Sequence, residues 1–267
     1  MKKRLVTWTM FGTVLLGAQT VTTFDKVLDW KWPAGSFKNG EITYCDQWRI
    51  VSSSPMVRID PTAQYVFEME AQSATENAKP QRVALTMAVY DAEKREIFPY
   101  NITTLPNTET ELVEAVNPGD TILKLKNGKN WVRKKFTSIA FNVKSDFSDL
   151  PNREVINANF ESFKDNGPIL EISLKKPMTK GYPAGTKVRQ HLWSRNLTVC
   201  QVQVDSQGKW ISKSGSISGI GKGGKHDDRK WWPGAVYFRP AITSAKNKNT
   251  IRVRNIKVTV KDMNSIF

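Results

Sequence analysis

The sequence predicts an all-β protein, a sandwich or barrel interrupted by an insert, on three observations. Short apolar runs alternate with polar residues at period two, which gives strands with one buried face. Gly, Pro, Asn and Asp punctuate them, and no window of comparable length carries a helical period. The most instructive stretch is Met56 to Ala74. There Val57 and Ile59 alternate with Arg58 and Asp60, and Tyr65, Phe67 and Met69 alternate with Val66, Glu68 and Glu70. Pro61 ends the first run, because it fixes φ and has no N–H for a ladder.

The elements follow in chain order. Met1-Lys2-Lys3-Arg4 is basic and Leu5 to Ala18 is apolar, so residues 1–20 read as a secretory signal cleaved after Ala18 or Thr20. That apolar run is shorter than the ~20 residues a membrane span needs, so no transmembrane span is expected in a mature chain of roughly 245 residues. An entry segment, 22–39, carries Trp30 and Trp32 and ends at the turn signal Lys38-Asn39-Gly40. Strands are expected at Trp48–Ser52, Met56–Asp60, Gln64–Gln72, Arg82–Tyr90, Phe136–Val143, Ile169–Leu174, Leu197–Val204, Ala235–Phe238 and Ile251–Val260. In the last, Ile251 and Val253 are out of phase with Ile256, Val258 and Val260, which predicts a bulge at Asn255. Between the two groups, Asn117-Pro118-Gly119-Asp120 reads as a turn before an alternating strand, Thr121 to Leu125.

Two phrases resemble the jelly-roll domains of secreted carbohydrate-binding modules, which are galactose-binding-like. One is the strand, Asp60-Pro61 turn and Tyr65-led strand; the other is Arg82 to Tyr90, a turn at Asp91-Ala92-Glu93-Lys94, and a return strand at Arg95 to Phe98. The resemblance covers residues 41–98 and 235–262 and implies a jelly-roll β-sandwich with a closing strand beside the opening ones. The expected organisation is therefore a sandwich from 21–105 and 190–267, with a small β-rich subdomain, 106–189, inserted. The L-x-x-x-V-x-x-G-D-T phrase from Leu112 and the Y-P-A-G-T-x-V phrase from Tyr182 resemble small β-rich inserts of secreted and phage surface proteins.

The formal net charge of +15 is unevenly spread. Residues 1–120 hold 12 basic and 15 acidic side chains, whereas 121–267 hold 28 and 10. An exported protein with such a surface meets acidic or sulfated polysaccharide, lipopolysaccharide, teichoic acid or anionic membrane. Nucleic acid would suit the charge, but the export signal argues against it. Cys45 and Cys200 are far apart: either they form a disulfide, worth about 2–4 kcal/mol, or they are two unpaired thiols. With only His191 and His226 beside them, no zinc-like spacing exists.

Catalytic patterns are sparse. A Ser-His-Asp triad would need His191 or His226, and no Gly-x-Ser-x-Gly elbow precedes either. His226-Asp227-Asp228-Arg229 follows a glycine and lysine loop, Gly219 to Lys225, and reads as a solvated loop or as a calcium or substrate loop. Gly215 to Gly224 does not match a P-loop. Tyr237-Phe238-Arg239 is similar to the Tyr-Phe-Lys phrase of jelly-roll alginate lyases, which would make Tyr237 the acid and His191 the base. Those enzymes carry Gln-x-His, whereas Gln190 and His191 are adjacent here and would face opposite sides of a strand.

Nine tryptophans complete the picture. Flat aromatic faces stack on sugars while Arg and Lys hold sulfate or carboxylate. Of Trp231 and Trp232, adjacent on a strand, one would point outward or cover another loop. The expectation is thus a non-catalytic carbohydrate-binding protein, secreted, periplasmic or at the cell surface, taking an anionic polysaccharide or surface glycan. Its expected surface comprises Trp193, Arg189, Arg195, Lys225, Arg229, Lys230, Trp231, Trp232 and Tyr237. No cofactor is expected, with a structural calcium ion left open. The rivals are a self-assembling structural protein of the cell surface or an appendage, and the polysaccharide lyase.

Overall fold

A computed structural model describes residues 20–23, 37–38, 41–44, 49–52, 55–75, 79–133, 136–156, 160–205, 208–244 and 249–262. All of the expected signal but Thr20, most of the entry segment and Cys45 lie outside the described residues. In chain order the first strands are β1 (Thr20–Thr23), β2 (Phe37–Lys38), β3 (Glu41–Tyr44), β4 (Arg49–Val51), β5 (Val57–Arg58), β6 (Ala63–Ser73), β7 (Gln81–Tyr90) and β8 (Glu96–Ile97). A single helical turn, α1 (Pro99–Ile102), leads into β9 (Thr110–Glu111), β10 (Ile122–Lys126), β11 (Thr137–Phe141), β12 (Val155–Ile156), β13 (Phe160–Asp165), β14 (Ile169–Leu174) and β15 (Lys187–Leu192). The chain closes with β16 (Leu197–Val204), β17 (Ile211–Ser218), β18 (Tyr237–Ser244) and β19 (Ile251–Asp262). Among the described residues no helix is long and apolar enough to cross a membrane.

The pairing order makes the sandwich a jelly roll. One sheet runs β17-β6-β19-β3-β2, with β1 beside β19; the other runs β16-β7-β18-β4, with β5 on β18 and β8 on β7. Count β3, β4, β6, β7, β16, β17, β18 and β19 as strands one to eight. The sheets then read six-three-eight-one and five-four-seven-two, the interleaving of two Greek keys that a jelly roll requires. Neighbouring strands of both sheets pair antiparallel, so each strand presents one face to the shared core.

Side-chain phase explains why these strands sit as they do. In β6 the residues Ala63, Tyr65, Phe67, Met69 and Ala71 are buried while their neighbours are half-exposed, the alternation the sequence predicts. At β19 the register slips between Arg254 and Lys257, and Asn255 takes φ +52°. That bulge returns Ile256 and Val258 to the face that already holds Ile251 and Val253. Tyr65 locks the preceding turn: the Asp60 N–H donates to its hydroxyl at 2.6 Å, and Asp60 Oδ1 accepts from Thr62 N–H at 2.8 Å. Tyr65 then meets Trp231 and Phe238 edge-on, with centroids 5.2 and 5.7 Å away.

Residues between β8 and β16, and thus between the fourth and fifth principal strands β7 and β16, form two further sheets, β10-β14-β13 and β12-β11-β15-β9. They enclose a separate apolar cluster including Leu112, Leu123, Leu125, Ile139, Phe141, Ile172 and Val188. Phe141 and Tyr182 stack at 3.9 Å within it. The last strand of this unit runs to Leu192, three residues past the expected boundary, and its end bonds back to the sandwich side through Leu192 N–H to Thr103 O at 3.0 Å.

Tyr65→Phe should lower unfolding free energy by about 1–3 kcal/mol, because the Asp60 N–H would lose its acceptor beside a buried ring. Urea unfolding with an unchanged m value checks this; an unaltered midpoint would refute it.

Candidate functional site

The outer face of the β16-β7-β18-β4 sheet carries a groove of about 470 Å³. In β7 the residues Val83, Leu85, Met87 and Val89 enter the core, so Arg82, Ala84 and Thr86 face the other way. The small Ala84 and Thr86 form the floor, and Arg82, Arg49, Thr198, Gln201 and Thr243 surround it. The wall comes from the insertion junction: Phe98 on one side of the insert and Trp193, Ser194, Arg195 and Asn196 on the other. Phe98 stacks on Tyr100 at 5.5 Å, and Trp193 packs on both rings at 6.1 and 4.7 Å. Trp193 keeps 40% of its surface exposed despite these contacts. Among the described residues lining it, the groove thus combines an aromatic wall with three arginines and no carboxylate.

Two of the three arginines have acidic neighbours behind the rim. Arg49 Nη2 lies 2.6 Å from Glu96 Oε1, and Arg195 Nη2 bonds Asp228 Oδ2. Arg82 is exposed on the strand itself. Positive charge on a partly enclosed face attracts an anionic polymer, and guanidinium groups hold sulfate or carboxylate through paired N–H donors.

A loop from Gly219 to Gly234 supports the wall from behind. It is closed at its base by Gly221 N–H to Trp231 O at 2.7 Å and Trp231 N–H to Gly219 O at 3.0 Å. From it His226 and Asp228 reach the wall. His226 Nε2 is 2.7 Å from Asp228 Oδ1, and His226 Nδ1 is 3.3 Å from Ser194 Oγ. The Ser194 hydroxyl has a second acceptor, Arg195 O, at 3.3 Å. Burial opposes ionisation of Asp228, but hydrogen bonds from His226 and the Thr198 N–H, with the Arg195 charge, outweigh it and hold the carboxyl below its usual range. Trp232 meets the His226 ring edge-on at 5.9 Å.

The expected surface is therefore divided. Trp193 and Arg195 line the groove. Lys225, Arg229 and Lys230 are exposed on the supporting loop, where Arg229 faces Asp227 at 3.6 Å, and Tyr237 is half-buried on β18 opposite Tyr90. Trp231 and Trp232 are corrected: both belong to the sandwich core, at 0% and 3% exposure, and neither can stack on a ligand. They escape the one-in, one-out rule because they are not on a continuous strand. Trp231 makes one isolated bridge to Ile220, and Trp232 starts the turn that closes with Ala235 N–H to Trp232 O at 3.1 Å. Arg189 is likewise corrected, 2% exposed and paired to Asp149 at 2.9 Å while covering the Phe147 ring at 4.8 Å.

Gln190 and His191 do face opposite sides of β15, but both are fully buried. Gln190 clasps the Val132 backbone through both ends of its amide, at 3.0 and 2.6 Å. His191 Nδ1 lies 2.6 Å from the Tyr100 carbonyl, which can only accept, so Nδ1 carries the proton and Nε2 accepts from Arg189 Nε at 3.3 Å. A base so enclosed cannot reach a uronate, and the lyase assignment loses its base. Cys200 is a free, buried thiol, pushed up to about 12 by burial first of all. Among the described residues no cluster of three or more His, Cys, Asp or Glu side chains is placed to hold a metal.

Sequence reasoning missed Phe98, Tyr100, Arg49, Arg82 and the Ser194 contact. Arg82 alone had a visible signal, since it stands out of phase with the apolar set of its strand. No family model, curated protein or solved structure matches the chain.

Burial drives the His191 pKa down to about 4, with the Arg189 charge adding to the effect and the Tyr100 carbonyl and Asp149 opposing it. Between that value and about 6.5 the unfolded chain binds the proton and the folded chain does not. Stability from this group is therefore complete above about pH 6.5, declines as pH falls, and levels off near pH 4, a loss of up to about 3 kcal/mol. Urea titrations from pH 7 to 4 should show a shallower decline for His191→Gln than for the wild type. Equal slopes would show that His191 does not carry this dependence.

Proposed function

We propose that this protein is an exported carbohydrate-binding protein that holds an acidic or sulfated polysaccharide in the groove on the β16-β7-β18-β4 sheet. The observation that carries the reading is the juxtaposition of a half-exposed Trp193, backed by Tyr100 and Phe98, with Arg49, Arg82 and Arg195 around a floor of small side chains. A sugar ring needs a flat apolar surface on one face, and its sulfate or carboxylate needs donors at the edge. Here the Trp193 ring supplies the first and the guanidinium groups the second.

The floor explains how a polymer could approach. Ala84 and Thr86 leave room above the strand, where longer side chains would fill the channel. A groove open to solvent admits an internal segment of a chain, as a surface polysaccharide presents it. The export expectation and the strongly basic second half place such a polymer within reach of a secreted, periplasmic or surface-attached protein.

Arg82→Ala and Trp193→Ala should each weaken binding to heparin or alginate about 10- to 100-fold, the scale of one charge-assisted hydrogen bond or one stacked ring. Lys124→Ala, on the insert, should leave affinity unchanged. Titration calorimetry at low salt reads all three. Absence of affinity for any anionic polysaccharide, or wild-type affinity in the Arg82 and Trp193 variants, would overturn the reading.

A further inference from the structure

Ser194, His226 and Asp228 come from two segments separated by about thirty residues, and the fold brings them into one hydrogen-bonded chain, with Ser194 on the groove wall and the other two behind it. Asp228 Oδ1 can only accept, so the 2.7 Å contact places a proton on His226 Nε2. That tautomer leaves the Nδ1 lone pair facing the Ser194 hydroxyl at 3.3 Å. The carboxylate is fixed on three sides, by the imidazole, by the Thr198 N–H at 3.1 Å and by the Arg195 guanidinium. Edge contact with Trp232 holds the ring on a further side. A hydroxyl beside a base that is itself oriented by a third group is the arrangement of an activated nucleophile, and such contacts are commonly loose before substrate binds.

We propose that Ser194, His226 and Asp228 hydrolyse an ester on the bound saccharide, removing an O-acyl group. Ser194 Oγ attacks the acyl carbon as its proton passes to His226 Nδ1. The bond from the acyl carbon to the sugar oxygen then breaks, and that oxygen takes the proton from Nδ1 as it leaves as a hydroxyl. Water adds to the acyl-serine, giving a proton to Nδ1, and the acid departs while Oγ recovers the proton. The sum is ester plus water giving acid plus alcohol, with no redox partner. Asp228 holds the ring in the required tautomer and stabilises the imidazolium formed in each half. Asn196 lines the same wall, and its amide is of the donor type an oxyanion requires.

An ester fits the site better than a glycosidic bond. Hydrolysis of the latter canonically uses two carboxylates flanking the bond, and the described residues lining the groove include none. The choice of a saccharide ester rests on the proposed polysaccharide binding, whereas the nucleophile stands apart from it.

Two readouts on the full chain separate these. The first is covalent labelling by a biotinylated fluorophosphonate, mapped by peptide mass spectrometry. The second is acetate release from O-acetylated alginate. Ser194 should be labelled and acetate released; Ser194→Ala should abolish both with thermal unfolding unchanged, and His226→Asn and Asp228→Asn should slow both about 10²- to 10⁴-fold. Labelling of Ser194 with turnover of 4-nitrophenyl acetate, but no affinity for polysaccharide, would uphold the nucleophile and remove the glycan reading. A wild-type protein that is neither labelled nor active on either ester, or activity that survives Ser194→Ala, would overturn the proposal.

Discussion

Burial of Trp231 is the constraint from which the rest of the molecule follows. Its ring stacks on Phe238 at 4.9 Å and meets Tyr65 and Phe67 edge-on, so it joins the aromatic centre shared by both sheets of the sandwich. A buried aromatic of this size removes about 150–250 Å² from water, which at about 25 cal/mol per Å² contributes roughly 4–6 kcal/mol. Its indole N–H has no partner among the described residues, at a cost of about 1–3 kcal/mol. The apolar gain wins, and the chain from Gly219 to Gly234 is pinned at its base. A loop rich in glycine and lysine would otherwise have no reason to hold one shape.

Once pinned, the loop does two things. It carries His226 and Asp228 to the back of the groove wall, and it wedges against the insert. A Cβ on Gly223 would lie 2.6 Å from Phe147 Cβ and 2.7 Å from Leu150 Cδ1, so glycine is what permits the approach. Gly224, at φ +81°, bridges Thr103, and Thr104 donates its backbone N–H to the Gly224 carbonyl at 3.0 Å. The same junction contains His191 on Tyr100 and Arg189 on Asp149. Replacing either partner of that ion pair would strand a buried charge, which is far more costly than the intact pair is worth. The insert is thus fastened where the groove wall is built, and Phe98 and Trp193, at its two ends, become neighbours.

Legibility in the sequence follows from what each signal reports. Period-two alternation reports a strand with one wet face, so β6, β16 and the bulged β19 were readable to within a residue or two, bulge included. Strand β17, Ile211 to Ser218, was invisible because it is an edge strand with few apolar residues, held by backbone pairing to β6. The two tryptophans misled for a related reason: a rule about strands was applied to residues that the loop closure takes off the strand. Arg189 looked like a surface cation because isolated arginines usually are. Its partner Asp149 is forty positions away, and nothing local announces the pair.

Charge distribution gave a true but coarse signal. The basic excess lies in residues 121–267, yet two of the three groove arginines, Arg49 and Arg82, come from the half with net negative charge. Net charge sums over a chain segment, whereas a ligand meets the field of one face. On that face the jelly-roll order decides the outcome, because it lays β4, β7, β18 and β16 side by side although they are distant in sequence. Arg49 and Arg82 then share a groove with Arg195, while the described acidic residues of the first half fall elsewhere or behind the rim, as Glu96 does beside Arg49. The cationic groove is therefore a product of topology, and the same composition on another strand order would not contain it.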